Sequence, residues 1–315
     1  MQHYWSLEDV YLQDSWLTIG SFDGVHKGHQ QILRKMTAGA HQANTKAVVL
    51  TFHPHPAVVL GKRSDPFYLT SPEERASLLA QLGVDLVLTC PFNLHVARTS
   101  AQDFMQELSN HLHMDKLWVG YDFALGKDRE GDVPTLRRLG ESLGYEVHVI
   151  NPVKVNGEVV SSSAIRAVLG KGDVSKAAEF LGRPYQVSGE IVHGDGRGHS
   201  IGIPTANLEV WAERAIPKAG VYVCKAHLHG KTLGAVTNIG IRPTFDNQSA
   251  FPTVEAHLLD YDGDLYGKRL KLDFVERLRD EKRFDSVESL VTQINTDIQH
   301  GREILSREGA YQRGR

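Results

Sequence analysis

The hydrophobic period of this chain changes partway along it, and that change limits the folds the chain can adopt. In the first half, short β-rich apolar runs alternate with stretches whose apolar residues recur at helical spacing. The apolar runs are Trp16–Ile19, Ala47–Phe52, Asp85–Cys90, Leu117–Val119 and Tyr145–Ile150. Alternating strands and helices favour right-handed crossovers, which build a parallel sheet covered by helices on both faces. The first half is therefore predicted to be an α/β domain.

Helix ends are marked in two of the intervening stretches. Ser71 can cap a helix that has Pro72 in its first turn, and Gly83 can end that helix. A second helix is predicted to begin near Thr99 or Ser100. Both helices fall between predicted strands, as a parallel sheet requires.

Beyond residue 183 the sequence indicates strands with little helix between them. The predicted strands are Tyr185–His193, Gly220–Leu228, Thr232–Ile239, Thr253–Leu259 and Leu270–Phe274. Consecutive short strands whose edges need protection favour a small closed antiparallel β-barrel. A last helix, from Ser286 to about Leu305, is predicted to pack across the barrel. Because Gly182 and Pro184 punctuate the join, we predict domains at 1–182 and 183–315.

Length and charge exclude several classes of protein. The 315 residues are enough for two domains that each bury a core. A net charge of −3 provides no broad basic field, so we expect no nucleic-acid partner. The first ten residues do not resemble a signal peptide, and no apolar run approaches the roughly 18 residues of a membrane helix. Cys90 and Cys224 fit no metal or disulfide pattern. We expect a cytoplasmic protein, a monomer or weak homo-oligomer, with no membrane partner.

The segment IGSFDGVHKGH follows the first predicted strand and begins the first helix. Ligands bind open α/β sheets at the carboxyl ends of strands. Gly20 and Gly24 allow the backbone to approach an anion, and the start of the helix supplies free N–H groups. His26 and His29 share one side of the first turn, where with Lys27 they could hold a triphosphate and stabilise a transferring phosphoryl group. The alternative is an ordinary helix start with two surface histidines.

Three more polar segments, TFHPHP, GYDFALG and SSSAIR, follow later strands and so converge on the same edge of the sheet. Prolines present His55 in the first, and Arg166 in the last adds a cation suited to phosphate. The serine run is equally explained as a helix cap. A zinc site built from His26, His29, His53 and His55 is a further alternative. Mg²⁺ carried by ATP is the more natural ion, because phosphates hold it.

A second candidate site lies in the barrel half, in HGDGRGHSIGIPTANL. It contains no Walker or dinucleotide-binding glycine pattern, and a flexible hairpin connection also explains its glycines. Thr205 and Asn207 are two apart, so an extended backbone projects a hydroxyl and an amide oxygen to one face, as Mg²⁺ and phosphate require. Glu255 lies in an otherwise apolar strand. It is either a general base or an outward-facing strand residue.

FDGVHKGH, TFHPHP, VGYDFALG and SSSAIR together resemble, in order, the adenylyltransferase half of the bacterial bifunctional riboflavin kinase/FAD synthetase family. The resemblance implies a Rossmann-like nucleotidyltransferase domain in which the FMN phosphate attacks the α-phosphate of ATP, giving FAD and pyrophosphate. His26 and His29 would stabilise the nucleotide phosphates during transfer, and His53 stands where family members often carry an acidic residue. The residues that the resemblance assigns to ATP or FMN binding are Gly20, Phe22, Asp23, Gly24, Lys27, His55, Asp122, Ser162 and Arg166.

The barrel half resembles the riboflavin kinase half of the same family through GDGRGHSIGIPTANL, IPKAGVY, TVEAHLLD, GDLYGK and FVERLRDEKRFDS. The resemblance implies transfer of the γ-phosphoryl group of ATP to the 5′-hydroxyl of riboflavin. Thr205 and Asn207 would bind Mg²⁺ and phosphate, and Glu255 would be the base. Gly198 and Arg279 would contact nucleotide or flavin.

Two other interpretations stay open at this point. The histidine-containing strand–helix segment is shared with nucleotidyltransferases for other phosphorylated acceptors and with aminoacyl-tRNA ligases, and the barrel could then bind flavin without catalysis. Alternatively, the barrel is a flavin carrier or sensor that binds flavin tightly and turns over no ATP.

Overall fold

The computed structural model describes residues 1–63, 67–194, 198, 201–243 and 250–307. Contacts divide the chain into two units, Met1–Ser162 and Ser163–Arg315, and each is described by itself. The predicted domain boundary after residue 182 stays a prediction.

The first unit is built on a six-stranded parallel sheet. Its strands are β1 (Gln2–Tyr4), β2 (Ser15–Ile19), β3 (Lys46–His53), β4 (Leu86–Pro91), β5 (Met114–Gly120) and β8 (Glu146–Ile150), in the order β1-β4-β3-β2-β5-β8. Two short ladders pair β6 (Ala124–Leu125) with β7 (Gly131–Asp132) and β9 (Lys154–Val155) with β10 (Glu158–Val159). All five predicted strands are present. The edge strand β1 was not predicted, because three residues are too short to show a period.

Helices cover both faces of this sheet, as predicted. They are α1 (Lys27–Gln42), α2 (Pro56–Val59), α3 (Pro72–Ala80), α4 (Ala101–Leu112) and α5 (Val133–Leu143). One core packs α1 and α3 against the sheet, and a second core packs α4 and α5. The predicted cap of α3 is present as a reciprocal pair, in which Ser71 Oγ accepts from the Glu74 N–H and the Glu74 carboxylate accepts from the Ser71 N–H.

The strand order places the polar segments at one point of the sheet. From β2 the chain proceeds outward through β3 and β4 on one side, and through β5 and β8 on the other. The direction of winding therefore reverses between β2 and β5, where open α/β sheets bind ligands. The loops after β2, β3 and β5 all leave from this carboxyl edge.

The second unit is a closed antiparallel barrel, which confirms the predicted fold class. Two helices precede it, α6 (Ser162–Leu169) and α7 (Val174–Leu181). Its strands are β11 (Tyr185–Val192), β12 (Ala206–Val210), β13 (Gly220–Leu228), β14 (Lys231–Pro243), β15 (Ala250–Leu258) and β16 (Arg269–Arg279), closing in the order β11-β12-β15-β14-β13-β16. The strand β12 was not predicted as one, although its sequence ANLEV alternates apolar and polar residues at the period of a half-buried strand.

The predicted C-terminal helix is α8 (Val287–Arg307), and it packs on the outside of the barrel. Gly301 lets the helix approach Val223 and Val236, and Leu305 is buried in the same cluster. Val287, at the start of the helix, is exposed. The second half of α8 therefore makes most of the packing. Among the helices of the described residues, none combines the length and apolar content that crossing a bilayer requires.

Candidate active sites

The loop between β2 and α1 has a backbone conformation that few sequences accept. Phe22 and Val25 have φ values of 46° and 42°, and both side chains are buried, so the core holds them in this strained region. Gly24 has a φ of 82° and its N–H donates to Thr70 Oγ1 at 3.1 Å. A Cβ on Gly20 would lie 3.1 Å from the ring of Phe22. Glycine is therefore favoured at both positions by local packing and backbone conformation, in addition to any role in letting the backbone approach an anion.

His26 and His29 lie in contact at the start of α1. Their rings stack with centroids 3.6 Å apart, and the His29 N–H donates to His26 Nδ1 at 3.3 Å. A Cβ on Gly28 would lie 3.0 Å from the His26 ring, so this glycine permits the stack; it lies inside the motif but was not predicted as a site residue. Burial, the neighbouring His26 and the Arg75 guanidinium lower the pKa of His29 well below its usual value. His29 is therefore a neutral hydrogen-bonding group at physiological pH.

Asp23 points into the protein. Its carboxylate is fully buried, accepts from the Leu69 N–H at 2.9 Å and from the Thr70 N–H at 3.1 Å, and lies 3.9 Å from an Arg75 nitrogen. These contacts give Asp23 a role in holding the loop. Direct contact of Asp23 with ATP or FMN stays a prediction.

Two other predicted residues lie at the ends of neighbouring strands. His55 follows β3 and caps α2, where its ring Nδ1 accepts from the Ala57 N–H at 3.0 Å. The backbone N–H of His55 donates to Tyr68 Oη at 2.7 Å. Asp122 follows β5 and is exposed. Because β3 and β5 flank β2, both residues belong to loops next to the histidine loop.

The serine segment reaches the same loop through Ser162, whose Oγ donates to the carbonyl oxygen of Asp23 at 2.8 Å. Lys27 is the first residue of α1 and is half-buried. Arg166 lies on α6 in the second unit, so its role at a phosphate site stays a prediction. The structure thus brings one member of the serine segment to the first site.

The sequence analysis missed Arg75, which is fully buried behind the histidine loop. A signal for it exists, because Arg75 is four residues before Leu79 and seven before Leu82 and so shares the apolar face of α3. A charged residue on such a face needs a partner. The zinc alternative finds no support: across the described part of the chain, no three His, Cys, Asp or Glu side chains are grouped to hold a metal ion.

A row of polar residues crosses three strands of the barrel. Glu255 on β15 is the register partner of Asn207 on β12 and of Asn238 on β14. Cross-strand partners point to the same side of a sheet with Cβ atoms about 5 Å apart. Glu255 alternates with the buried Val254 and Ala256, so it is half-buried on the outer face of the barrel, beside Asn207 and Asn238. The outward orientation named as the alternative is therefore present, and a role of Glu255 as general base stays a prediction. Asn238 was not predicted, although it is a polar residue in an apolar strand just as Glu255 is.

Two glycines let the preceding loop lie against this row. A Cβ on Gly194 would collide with the Asn207 amide, and one on Gly198 would lie 3.1 Å from Thr205 Oγ1. The Ile203 N–H donates to the Gly198 carbonyl at 2.9 Å. The loop backbone therefore lies against the Thr205 hydroxyl and the Asn207 amide, whose oxygens are of the kind that binds Mg²⁺. Residues 195–197, 199 and 200 of this loop lie outside the described residues.

Arg279 is engaged by α8. Its guanidinium makes two parallel hydrogen bonds with the buried carboxylate of Asp297, from Nη2 to Oδ2 at 2.7 Å and from Nε to Oδ1 at 3.1 Å. This pair fixes the end of β16 to the helix. The predicted contact of Arg279 with flavin stays a prediction.

The first unit has histidines and a helix start at the point where the winding reverses. The barrel has Thr205, Asn207 and Glu255 on a face bounded by glycines. Together these features define the class of the protein, one with two sites suited to nucleotide phosphates. The family model described as FAD synthetase matches residues 9–164, and the model described as riboflavin kinase matches residues 181–305. The chain is 34% identical to the bifunctional riboflavin kinase/FMN adenylyltransferase of Listeria monocytogenes and 37% identical to that of Escherichia coli (strain K12). Each alignment covers 92% of this chain and 92% of the relative.

The chain therefore belongs to the bifunctional riboflavin kinase/FMN adenylyltransferase family, and the predicted family is confirmed. Among solved structures, one described as a macrolide-efflux protein from Streptococcus pneumoniae has a TM-score of 0.87 and is 29% identical, with 95% of this chain and 98% of that chain covered. That similarity supports the fold of both units. Macrolide efflux is a description of that protein alone.

Proposed function

We propose that this chain makes FAD from riboflavin in two consecutive reactions, phosphorylation at the barrel and adenylyl transfer at the α/β unit. The observation that carries the proposal is the match of both family models, in order, to the two parts of the chain. Membership of the family confirms the predicted class of enzyme, a kinase and nucleotidyltransferase of flavin biosynthesis. None of the relatives named above favours another acceptor or a non-catalytic barrel.

In the proposed adenylyl transfer, a phosphate oxygen of FMN attacks the α-phosphorus of ATP. The bond from that phosphorus to the bridging oxygen breaks, and pyrophosphate leaves. Negative charge shifts onto the phosphate oxygens in the transition state, so fixed donors around them contribute most. In this proposal His26 and His29 donate hydrogen bonds to these oxygens, and Lys27 adds a positive charge beside them.

The remaining residues of the first site bind the two substrates in this proposal. Ser162 and Arg166 hold the triphosphate in this proposal, and the bond from Ser162 to the Asp23 carbonyl supports the role of Ser162 because it keeps that residue beside the histidine loop. The pocket and loop residues complete the site; they are Gly20, Phe22, Gly24, His55 and Asp122.

In the proposed kinase reaction, the Glu255 carboxylate accepts the proton of the riboflavin 5′-hydroxyl. The hydroxyl oxygen attacks the γ-phosphorus of ATP, and ADP leaves. The pairing of Glu255 with Asn207 supports this, since a general base must lie next to the groups that hold the phosphate. Gly198 lets the loop approach the phosphates, and Arg279 contacts the flavin.

Thr205 and Asn207 would hold Mg²⁺, because a hydroxyl and an amide oxygen are hard ligands and the glycine-containing loop lies close to both. The ion, when bound, supplies charge neutralisation for the phosphates. The partners in this proposal are ATP, riboflavin, FMN and FAD in the cytoplasm, with the chain a monomer or weak homo-oligomer.

Two substitutions separate the two activities. His29→Ala is expected to lower FAD formation from supplied FMN by at least about 100-fold, the scale of one lost transition-state donor, while FMN formation from riboflavin stays nearly unchanged. Glu255→Ala is expected to do the reverse. Products are separated by chromatography after incubation with flavin, ATP and Mg²⁺, and His95→Ala, at an exposed histidine, serves as the control.

Equal loss of both activities in either variant, with an unchanged circular dichroism spectrum, would contradict two separate sites. Tight flavin binding by the wild-type chain without FMN formation would favour the carrier interpretation instead.

A further inference from the structure

The guanidinium of Arg75 is the centre of a buried network behind the histidine loop. Nη1 donates to Thr51 Oγ1 at 3.0 Å, Nη2 donates to the Thr70 carbonyl at 3.4 Å, and Nη2 lies 3.9 Å from the Asp23 carboxylate. The Arg75 and Asp23 side chains are both 0% exposed. Arg75 therefore joins three chain segments: the loop after β2, the end of β3 and the turn before α3.

The two threonines of this network also bond the backbone of the loop after β2. Thr51 Oγ1 donates to the Ser21 carbonyl at 3.0 Å, and Thr70 Oγ1 accepts from the Gly24 N–H at 3.1 Å. The loop is thus held on both sides of Phe22, whose positive φ needs such restraint. Asp23, in turn, accepts from the backbone of the turn that α3 follows.

We propose that Arg75 is a positioning residue for adenylyl transfer: it fixes the loop after β2 and so sets the place of the stacked His26 and His29 relative to the phosphates of ATP. The inference rests on the proposed function of the first unit and deepens it. Arg75 is fully buried, so it acts through the loop and does not touch substrate. Its charge also lies close enough to His29 to contribute, after burial and His26, to the low pKa of that imidazole.

A purely structural role makes different predictions. If Arg75 only neutralises the buried Asp23 carboxylate, removing both charges together repairs the defect. If Arg75 positions the loop, its hydrogen bonds matter as well as its charge, and removing both charges does not repair the site. A lysine retains the charge but places one nitrogen where the guanidinium places two, so it restores a charge-only role fully and a positioning role in part.

The test measures both activities in the full-length chain for wild type, Arg75→Met, Arg75→Lys and the double variant Asp23→Asn/Arg75→Met. A smaller folded fraction lowers the apparent kcat but leaves KM unchanged, so the KM for ATP in FAD formation is the decisive quantity. We expect Arg75→Met and the double variant to raise this KM at least 10-fold and to lower kcat/KM by about 100-fold, as a displaced catalytic group does. Arg75→Lys should fall between wild type and Arg75→Met, since the charge remains but one of the two hydrogen-bonding nitrogens is lost.

Riboflavin phosphorylation by the same preparations is the internal control and should be unchanged. Arg34→Met, at an exposed arginine of α1, is the matched control for loss of a guanidinium. An unchanged KM for ATP in Arg75→Met, its restoration in the double variant, or loss of folded structure in the double variant would each overturn the inference. Absence of FAD formation by the wild-type chain would instead refute the proposed function itself.

Discussion

At the scale of single residues, His29 shows how packing decides what a side chain can do. A surface imidazole near a phosphate gains a proton, whereas His29 lies between Phe22 and His26 with ring centroids 4.9 and 3.6 Å away. Burial disfavours its charged form, and His26 and Arg75 add repulsion, so its pKa is lowered. In the proposed reaction, His29 would therefore act as a neutral hydrogen-bond donor held in one orientation by its neighbours.

The lowered pKa has a consequence for stability. Below the usual value of 6.5 the unfolded chain protonates His29 while the folded chain does not, so stability from this residue is complete above pH 6.5 and is lost as the pH falls below it. When the pH is lowered from 7.5 to 5.5, the free energy of unfolding of the wild-type chain should fall by about 1 kcal/mol more than that of His29→Gln. One pKa unit corresponds to about 1.4 kcal/mol.

Denaturant unfolding followed by tryptophan fluorescence provides the measurement. Three of the four tryptophans, Trp5, Trp16 and Trp118, belong to the first unit, so the signal reports mainly on it. His95→Gln, at an exposed position, should lose as much stability as wild type. If His29→Gln does so too, the imidazole is not held neutral by the fold.

At the scale of elements, α3 begins with the reciprocal cap of Ser71 and Glu74, and Arg75 is the next residue after Glu74. We expect Ser71→Ala to lower the free energy of unfolding of the first unit by about 1 kcal/mol, because it removes the acceptor for the Glu74 N–H. The loss also loosens the first turn, so the KM for ATP in FAD formation should rise. Fluorescence-detected unfolding and steady-state kinetics on the same preparation measure the two effects.

Ser100→Ala is the matched control for that prediction. Ser100 Oγ likewise accepts from the N–H three residues on, that of Asp103, at 3.0 Å, and none of the Arg75 contacts described above involves α4. It should cost a similar free energy and leave the KM for ATP unchanged. A rise in KM in both variants would mean that the site responds to general loss of stability.

The elements themselves were predictable where a period survives over several residues. Most strands of both units and the caps of α3 and α4 follow from local patterns. β1 is too short to show a period, whereas β12 was missed although its five residues alternate apolar and polar. Contacts between distant segments could not be predicted: Asp23 meets Leu69 and Thr70, which are 46 and 47 residues away. The candidate residues could be named from the sequence, but the buried backbone partners of one of them, Asp23, could not.

At the scale of the whole molecule, the place where the chain divides between the two units can be tested. Helix α7 packs on β11 and β16 and buries Val174, Ala177, Phe180 and Leu181. The Leu169 carbonyl, at the end of α6, accepts from the Lys218 N–H at 2.9 Å. Both helices therefore contact the barrel unit, although the predicted boundary after residue 182 separates them from it.

We accordingly expect a fragment of residues 163–315 to have a higher free energy of unfolding than a fragment of residues 183–315, by about 3 kcal/mol. Burial of one Phe or Leu side chain contributes about 1.5–3 kcal/mol, and the shorter fragment loses both Phe180 and Leu181. Denaturant unfolding compares the fragments, and Phe180→Ala in the longer one should reproduce a large part of the difference. The longer fragment should phosphorylate riboflavin with the KM of the full chain. Equal unfolding free energies of the two fragments would show that the barrel is complete from residue 183 onward.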